Sequence, residues 1–220
     1  MTKVYNMMLT PQVDQLKNEL EIYLSQFDWN NLSKGQKKVL EAFLDVAMTH
    51  GFTAVTMRSL AQSLGMKAPS LYAHFPEGRD QIIAQTLRWH YSHYGFQLLK
   101  ALTESNDLHQ CWEASIEVHL ANQIKKPASK LFDLMIATYK VGGWMTEELG
   151  KEISYWSEFS ERVYFALAQS LNLNPTTEKV KLMMTLLENA SQWTNWDGSD
   201  SSFEDINTRC LKHLHLIFKE

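Results

Sequence analysis

Helical periodicity runs along almost the whole of the 220-residue sequence and constrains its fold more than any other feature. Apolar residues recur at steps of three and four, the spacing of one helix face, and no stretch alternates as a half-buried strand does. Only nine glycines and five prolines are present, which is few for the many turns of a β-sandwich or barrel. The sequence therefore predicts an all-α protein.

Capping and breaker residues divide this pattern into separate helices. Thr10 and Pro11 form a favourable helix start, Ser33 fits a capping box with Gln36, and Gly51 suits a helix end. The first helix is expected at residues 10–27, with an apolar stripe that consists of Val13, Leu16, Leu20, Leu24 and Phe27. Further helices are expected at residues 33–51, 56–64, 68–75, 79–102, 108–124, 128–141, 146–171, 177–193 and 203–218.

Composition excludes several other classes of protein. A hydrophobic content of 45% is too high for a disordered chain. The two cysteines, Cys111 and Cys210, lie too far apart in the sequence for a paired zinc knuckle, and they suggest a reduced, cytoplasmic setting. The first residues do not resemble a signal peptide, and no run approaches the ~18 apolar residues of a membrane helix. We therefore expect a cytoplasmic protein without a membrane partner.

Charge is distributed unevenly along the chain. Residues 34–88 carry seven lysines and arginines and four acids, a net charge of +3, whereas residues 89–220 carry a net charge of −5. A basic region on an acidic protein is compatible with nucleic-acid binding, although ordinary surface variation would also produce it.

A helix-turn-helix pattern lies within the basic region, in the sequence TMRSLAQSLGMKAPSLYAHF that starts at Thr56. Two short helices flank a turn centred on Gly65. The second helix leaves small residues exposed at its N-terminus, where they can approach base edges in a major groove. The apolar residues that pack the two helices together are Leu60, Ala61, Leu64, Leu71 and Phe75.

The stretch from Val39 to Leu87 resembles the DNA-binding domain of the tetracycline-repressor (TetR) family. The resemblance is carried by FLDVAMTHGFTAVTMRSLAQSLGM followed by KAPSLYAHF, in which Leu71-Tyr72-x-His74-Phe75 is the most specific element. It implies a helical homodimer that binds double-stranded operator DNA and a small-molecule effector. On this basis we divide the chain into an N-terminal extension with one helix (1–32), a DNA-binding domain (33–78) and an effector-binding and dimerisation domain (79–220).

The resemblance also implies roles for single residues. Arg58 occupies a position where some members read guanine, which a guanidinium can contact through two hydrogen bonds. Tyr72 matches a phosphate-contacting tyrosine, although packing against the following helix would explain it equally well. An exposed helical arginine without a DNA role is the alternative for Arg58. The full set of predicted DNA-binding residues is Thr56, Arg58, Lys67, Ala68, Pro69, Ser70, Tyr72, His74 and Arg79.

The sequence departs from the family pattern in three ways. Lys67 stands where members usually have a Ser or Thr cap, so one cap interaction is lost and a cation is gained. The segment PEGRDQII after Phe75 is one residue longer than usual, and Arg79 is the candidate replacement for a phosphate-binding lysine. The amphipathic segment 10–27 is additional, because most members begin near Ser33.

The second half of the chain is rich in aromatic residues and methionine, which could line an effector cavity or could be ordinary core. The predicted pocket residues are Trp112, His119, Met135, Tyr139, Trp156, Phe159 and Met184. The last two predicted helices carry an apolar stripe that suits a dimer interface, namely Val180, Met183, Leu187, Ile206, Cys210, Leu214 and Ile217.

Metal binding and catalysis have little support in the sequence. His90 and His93 share a helix face, but no third ligand accompanies them. No serine elbow, phosphate-binding glycine loop or activated nucleophile is recognisable. We therefore expect neither a metal nor another cofactor, and no enzymatic activity.

These observations predict a sequence-specific transcriptional regulator, a repressor released by a small apolar or aromatic effector. The extra segment 10–27 motivates an alternative, a DNA-bound scaffold of TetR fold whose main role is to bind another protein.

Overall fold

The computed structural model describes residues 10–26, 32–126, 128–134 and 146–219, and the regular structure in these ranges is helical, which confirms the predicted all-α fold. A 3-10 turn at Phe52–Ala54 lies between the second and third helices. None of the helices described is long and apolar enough to cross a membrane. The helices are α1 (Pro11–Ser25), α2 (Lys34–His50), α3 (Met57–Ser63), α4 (Ala68–His74), α5 (Arg79–Glu104), α6 (Leu108–Lys125), α7 (128–134), α8 (Glu147–Ser170), α9 (Thr177–Glu188), α10 (Ala190–Trp193) and α11 (Asp200–Phe218).

Two predicted helices differ from those observed. The helix predicted at 177–193 is interrupted at Asn189, whose backbone N–H and side-chain amide both donate to the Thr185 carbonyl and end α9. The last helix begins before residue 203, because the Ser199 hydroxyl accepts a hydrogen bond from the Ser202 N–H and caps α11. Phe27 and the second part of the helix predicted at 128–141 lie outside the described residues.

The chain divides into two compact units. The first, which we call the helix-turn-helix (HTH) unit, lies within residues 26–93 and 127–154. The second, which we call the body unit, lies within residues 1–25, 94–126 and 155–220. Two helices, α5 and α8, have residues in both units. The predicted domain boundaries at 32/33 and 78/79 were drawn from the sequence motif, whereas these two units reflect which residues lie close together in space. The division into three domains therefore stays a prediction.

The HTH unit has one hydrophobic core. It is formed by α2, α3, α4 and the first half of α5, and α7 and the start of α8 add to it. An ion pair also joins α5 to α8, because the Arg88 guanidinium donates to both carboxylate oxygens of Glu152 at 2.9–3.0 Å. Representative fully buried residues of the core are Phe43, Leu60, Leu71, Phe75, Ile82 and Phe132.

The body unit is organised around α6, which packs against α9, α10 and α11. Its interior contains large aromatic side chains together with buried polar groups, among them Ser115, His119 and Ser160. Buried polar groups need hydrogen-bond partners, and one such network is described below.

Helix α1 packs against other helices of the body unit. This docking was expected, because its apolar stripe would be costly to expose to water. Val13, Leu16, Leu20 and Leu24 are buried. Gly95 of α5 permits close contact, because a Cβ atom there would lie 3.0 Å from side-chain atoms of both Leu24 and Trp156.

Polar contacts fix the register of α1 on α8. The Arg162 guanidinium donates to both carboxylate oxygens of Glu19, at 2.6 and 2.9 Å, and the Tyr155 hydroxyl donates to the same carboxylate at 2.7 Å. The bonds from Arg162 hold the pKa of Glu19 below its usual value. One turn further along, the indole N–H of Trp156 donates to the Tyr23 hydroxyl at 3.0 Å. The N-terminal extension therefore has a specific binding surface on its own chain.

Candidate nucleic-acid interface

The first helix of the motif, α3, begins at a reciprocal cap. The Thr56 hydroxyl accepts from the Ser59 N–H at 3.0 Å, and the Ser59 hydroxyl accepts from the Thr56 N–H at 2.8 Å. This arrangement satisfies two of the donors that a helix start leaves unpaired. Thr56 is exposed, so the predicted phosphate-contacting position is accessible although its hydroxyl already serves as a cap.

The turn between α3 and α4 depends on Gly65. Its φ of 63° lies in the left-handed region that favours glycine. The Met66 N–H donates to the Ala61 carbonyl at 2.9 Å, which closes the end of α3 in the manner of a Schellman motif. Leu60 and Ala61 are buried on one side of the turn, and Leu71 and Phe75 are buried on the other.

The N-terminus of α4 faces solvent. Lys67 occupies the N-cap and provides no side-chain cap, as the comparison of its sequence with the family pattern indicated. Lys67, Pro69 and Ser70 are exposed, and Ala68 is half-buried. A cation and three small residues therefore form an accessible surface, the arrangement that a helix entering a major groove needs.

Arg58 extends from the exposed side of α3. It forms no hydrogen bond or ion pair with another described residue, so its guanidinium is available for a base edge. The structure thus places Arg58, Lys67, Pro69 and Ser70 on two consecutive helices of the motif with their side chains accessible.

Arg79 has a different environment. Its Nε donates to the Val55 carbonyl at 2.7 Å, and its guanidinium lies 4.6 Å from the centre of the Phe52 ring. Partial burial lowers the pKa of Arg79, while Asp80 opposes that shift. These contacts describe an anchor between α5 and the turn before α3, rather than a side chain held free for phosphate.

Tyr72 and His74 also contact neighbouring backbone. The Tyr72 ring lies 3.4 Å from the position that a Cβ on Gly78 would take, and about half of its side chain is exposed. His74 packs against Gly35 near the start of α2, where an added Cβ would lie 3.0 Å from its Nε2 atom. Tyr72 can therefore serve both packing and DNA contact, and His74 joins the end of α4 to the start of α2.

The sequence interpretation overlooked the lysines at the start of α2. Lys34, Lys37 and Lys38 lie in its first turns, which contain no acid, although cations at a helix N-terminus oppose the macrodipole. Lys34 and Lys38 are exposed, and the contact between Gly35 and His74 places this end of α2 beside α4. An external anion beside this end of α2 would offset the unfavourable local charge, which is visible in the sequence.

The predicted effector residues are packed in the interior of the body unit. Trp112, His119, Trp156, Phe159 and Met184 are all buried, whereas Met135 and Tyr139 lie outside the described residues. Trp156 and Phe159 contact each other and Tyr155, beside α1. The described part of the chain brings these residues into core packing and not around an open cavity.

A buried polar network crosses the body unit at His119. The Tyr164 hydroxyl lies 3.2 Å from the Ser115 carbonyl oxygen and 3.1 Å from Nδ1 of His119. The hydroxyl has one hydrogen, which it can give either to the Ser115 carbonyl or to Nδ1 of His119. Burial lowers the pKa of His119 to about 4, so the ring is neutral at physiological pH. Within the described residues, no three His, Cys, Asp or Glu side chains are grouped as a metal site.

The stripe predicted as a dimer interface is buried within the chain itself. Six of its members are buried and Ile217 is half-buried, because α9 and α11 pack against each other and against α6. Side chains that fill the core of one chain offer little surface to a partner, and the role of these residues at a dimer interface stays a prediction. The buried members are Val180, Met183, Leu187, Ile206, Cys210 and Leu214.

Comparisons with known proteins agree with this geometry. Residues 39–86 match the family model described as bacterial regulatory proteins, tetR family. No curated protein matches the sequence.

Solved structures share the fold at low sequence identity. The ketosteroid transcriptional regulator KstR2 of Mycobacterium tuberculosis superposes with a TM-score of 0.67 at 10% identity, over 86% of this chain and 95% of that one. A tetR-family regulatory protein from Rhodococcus RHA1 gives 0.66 at 14% identity, over 86% and 97% of the two chains. A TetR family transcription regulator from Marinobacter aquaeolei VT8 gives 0.54 at 18% identity, over 92% and 97%.

The fold and the exposed helix-turn-helix define a DNA-binding transcription regulator. Residues 39–86 thus resemble the DNA-binding region of the tetR family, and the chain shares the fold of solved structures of such regulators.

Proposed function

We propose that the chain is a homodimeric repressor that reads a two-fold symmetric operator and is released from it by a small-molecule effector. The observation that supports this most directly is the accessible surface of α3 and α4. Arg58, Lys67, Pro69 and Ser70 are exposed there, while the apolar residues beneath them are fully buried. Arg58 supplies base readout and Lys67 supplies phosphate attraction.

The dimer uses the outer sides of α9 and α11. Leu182 of α9 is 55% exposed and Leu216 of α11 is 62% exposed, unusually high values for large apolar side chains. Exposed leucines on two helices that pack side by side suit a self-complementary interface. A two-fold axis there gives two copies of α4, and the operator then has two half-sites about one DNA turn, or a small multiple, apart.

The scaffold alternative rested on an N-terminal segment free to hold a partner. The apolar stripe of α1 and the Glu19 carboxylate are instead engaged by α8 and α5 of the same chain. This packing removes the feature that motivated the alternative, and repression by DNA binding is the function that the geometry supports best.

The proposal is tested by selecting duplexes from a random DNA pool with the full-length chain. The expected result is a palindromic site that contains a guanine at the position read by Arg58. The Arg58→Ala variant should lose preference at that position and about 1–3 kcal/mol of binding free energy. Lys100→Ala, which removes an exposed cation of α5, is the control and should select the wild-type site. Selection of no consensus by the wild-type chain would refute the proposal.

A further inference from the structure

A groove of about 300 Å³ lies between α5 and α6 in the body unit. Its α6 wall follows one helical face from Glu117 through Val118 and Ala121 to Lys126, and its α5 wall contains Tyr94 and Gln97. This volume suits a small organic molecule. Of the predicted effector residues that the structure describes, none lines this groove.

The inner wall of the groove is built from buried polar side chains. Tyr94 is 6% exposed, and its hydroxyl completes no hydrogen bond with a described residue, although the hydroxyls of Ser160 and Tyr164 lie nearby. A buried hydroxyl without a completed bond costs free energy. Ser160 and Tyr164 do not line the groove, so this hydroxyl lies among interior groups and not on the groove surface.

Of two neighbouring lysines at the end of α6, one pairs with an acid and the other does not. Lys125 donates to a carboxylate oxygen of Asp200 at 3.1 Å, and its ammonium lies 4.1 Å from the centre of the Phe203 ring. Lys126 is half-buried and forms no ion pair with any residue that the structure describes. Partial removal from water lowers its pKa. A half-buried cation without an acid is a position for an external anion.

The opposite end of the groove has the opposite charge. Glu117 lies on α6 and Lys126 directly follows its last turn, about 13 Å away along the helix axis. Val118, Ala121 and the ring of Tyr94 line the groove between them. A small ligand with an apolar middle can reach only one of the two charged ends of the groove. If its carboxylate lies at Lys126, Glu117 disfavours a second negative group at the other end.

We propose that this groove binds a small monocarboxylic acid with an apolar body, its carboxylate held by Lys126 and its body lying on Val118, Ala121 and Tyr94. The inference rests on the proposed function, because it assigns the class of effector and its site. It adds a carboxylate to the small apolar or aromatic effector expected from the sequence.

The test uses the full-length chain and calorimetric titration with benzoate, trans-cinnamate and hexanoate. At least one of these carboxylates should bind, and its neutral amide should bind about tenfold more weakly. Lys126→Met and Lys126→Gln should each weaken carboxylate binding by about tenfold or more, and Lys126→Arg should retain it. Lys181→Met removes an exposed lysine of α9 and should leave the affinity unchanged. Thermal unfolding of each variant verifies that it is folded.

Two results would overturn the inference: no binding of any of the three carboxylates at millimolar concentration, or unchanged affinity in folded Lys126→Met. Operator binding, measured by fluorescence anisotropy of labelled duplex, separates this failure from that of the proposed function. A chain that selects an operator but binds no carboxylate contradicts the groove assignment alone. A chain that selects no DNA contradicts the proposed function, whatever the groove binds.

Discussion

The Nε atom of Arg79 donates a hydrogen bond to the backbone carbonyl of Val55 at 2.7 Å and thereby joins the first turn of α5 to the segment just before α3. The guanidinium also covers the Phe52 ring, which meets Phe43 of α2 edge to face with centroids 6.1 Å apart. One side chain therefore connects three parts of the HTH unit. Its contacts hold the segment just before α3, and so they influence the placement of Arg58 indirectly.

Removal of the Arg79 side chain should destabilise the HTH unit and should have little effect on the electrostatic attraction to DNA. We expect Arg79→Ala to lower the free energy of unfolding by about 1.5–3 kcal/mol, the usual effect of losing a hydrogen bond to a charged group. The salt dependence of DNA binding should stay close to that of the wild type. Urea unfolding and operator affinity at several salt concentrations measure the two effects.

Arg58→Ala is the matched arginine variant in the same unit and should show the reverse behaviour. Its side chain is exposed, so stability should change by less than about 0.5 kcal/mol while base preference is lost. If Arg79→Ala left stability unchanged and reduced the salt slope by about one unit, Arg79 would contact phosphate, as the sequence comparison suggested.

The helices were predictable from sequence because their signals are local. The capping box at Ser33, the cap at Thr56 and the turn at Gly65 depend on residues within one or two turns, and all three occur as expected. The end of α9 at Asn189 was missed, because an apolar period continues through it and conceals the break.

Roles that depend on distant contacts could not be predicted in this way. The partner of Arg79 is a carbonyl 24 residues earlier, and no local pattern indicates it. Periodicity likewise identified the stripe through Met183 and Cys210, but it cannot distinguish packing within one chain from packing against a second copy. The structure adds that these side chains are buried within the single chain.

Helix α1 provides a test of its packing with two residues of similar size. Leu20 is fully buried against the body unit, whereas Ile22, two positions later, is 63% exposed. Leu20→Ala should lower the free energy of unfolding by about 2–5 kcal/mol, the range for emptying a packed core site. Ile22→Ala should change it by less than about 0.5 kcal/mol. Equal effects in urea unfolding would show that α1 does not hold this orientation on the body.

The dimer surface is tested by charge introduced on the outer sides of α9 and α11. Leu182→Asp and Leu216→Asp place carboxylates on exposed positions, so the monomer fold should persist while a desolvated apolar contact is lost. Sedimentation should show a dimer for the wild type and a monomer for the double variant at micromolar concentration. Ile22→Asp, an equally exposed substitution on α1, should remain dimeric. A dimer that tolerates both aspartates would require a different interface.

The His119 network makes stability depend on pH in a defined direction. Burial lowers the pKa of His119 from 6.5 to about 4, so the unfolded chain takes up a proton on this ring before the folded chain does. Proton uptake by the unfolded state stabilises it, and folding stability therefore falls as the pH drops from about 6.5 toward 4. Between pH 7.5 and 5 the expected loss from this group is about 2 kcal/mol.

His119→Gln keeps a side-chain amide able to donate to Tyr164 but cannot be protonated in this range. We expect the variant to be less stable at pH 7.5, because the buried site is shaped for an imidazole, and to lose less stability than the wild type on acidification. Urea unfolding of both proteins at pH 7.5, 6 and 5 gives the difference, in which the contributions of the other titrating groups cancel. Parallel curves for the two proteins would mean that His119 is protonated equally in the folded and unfolded chains. The imidazole would then not be buried in its neutral form.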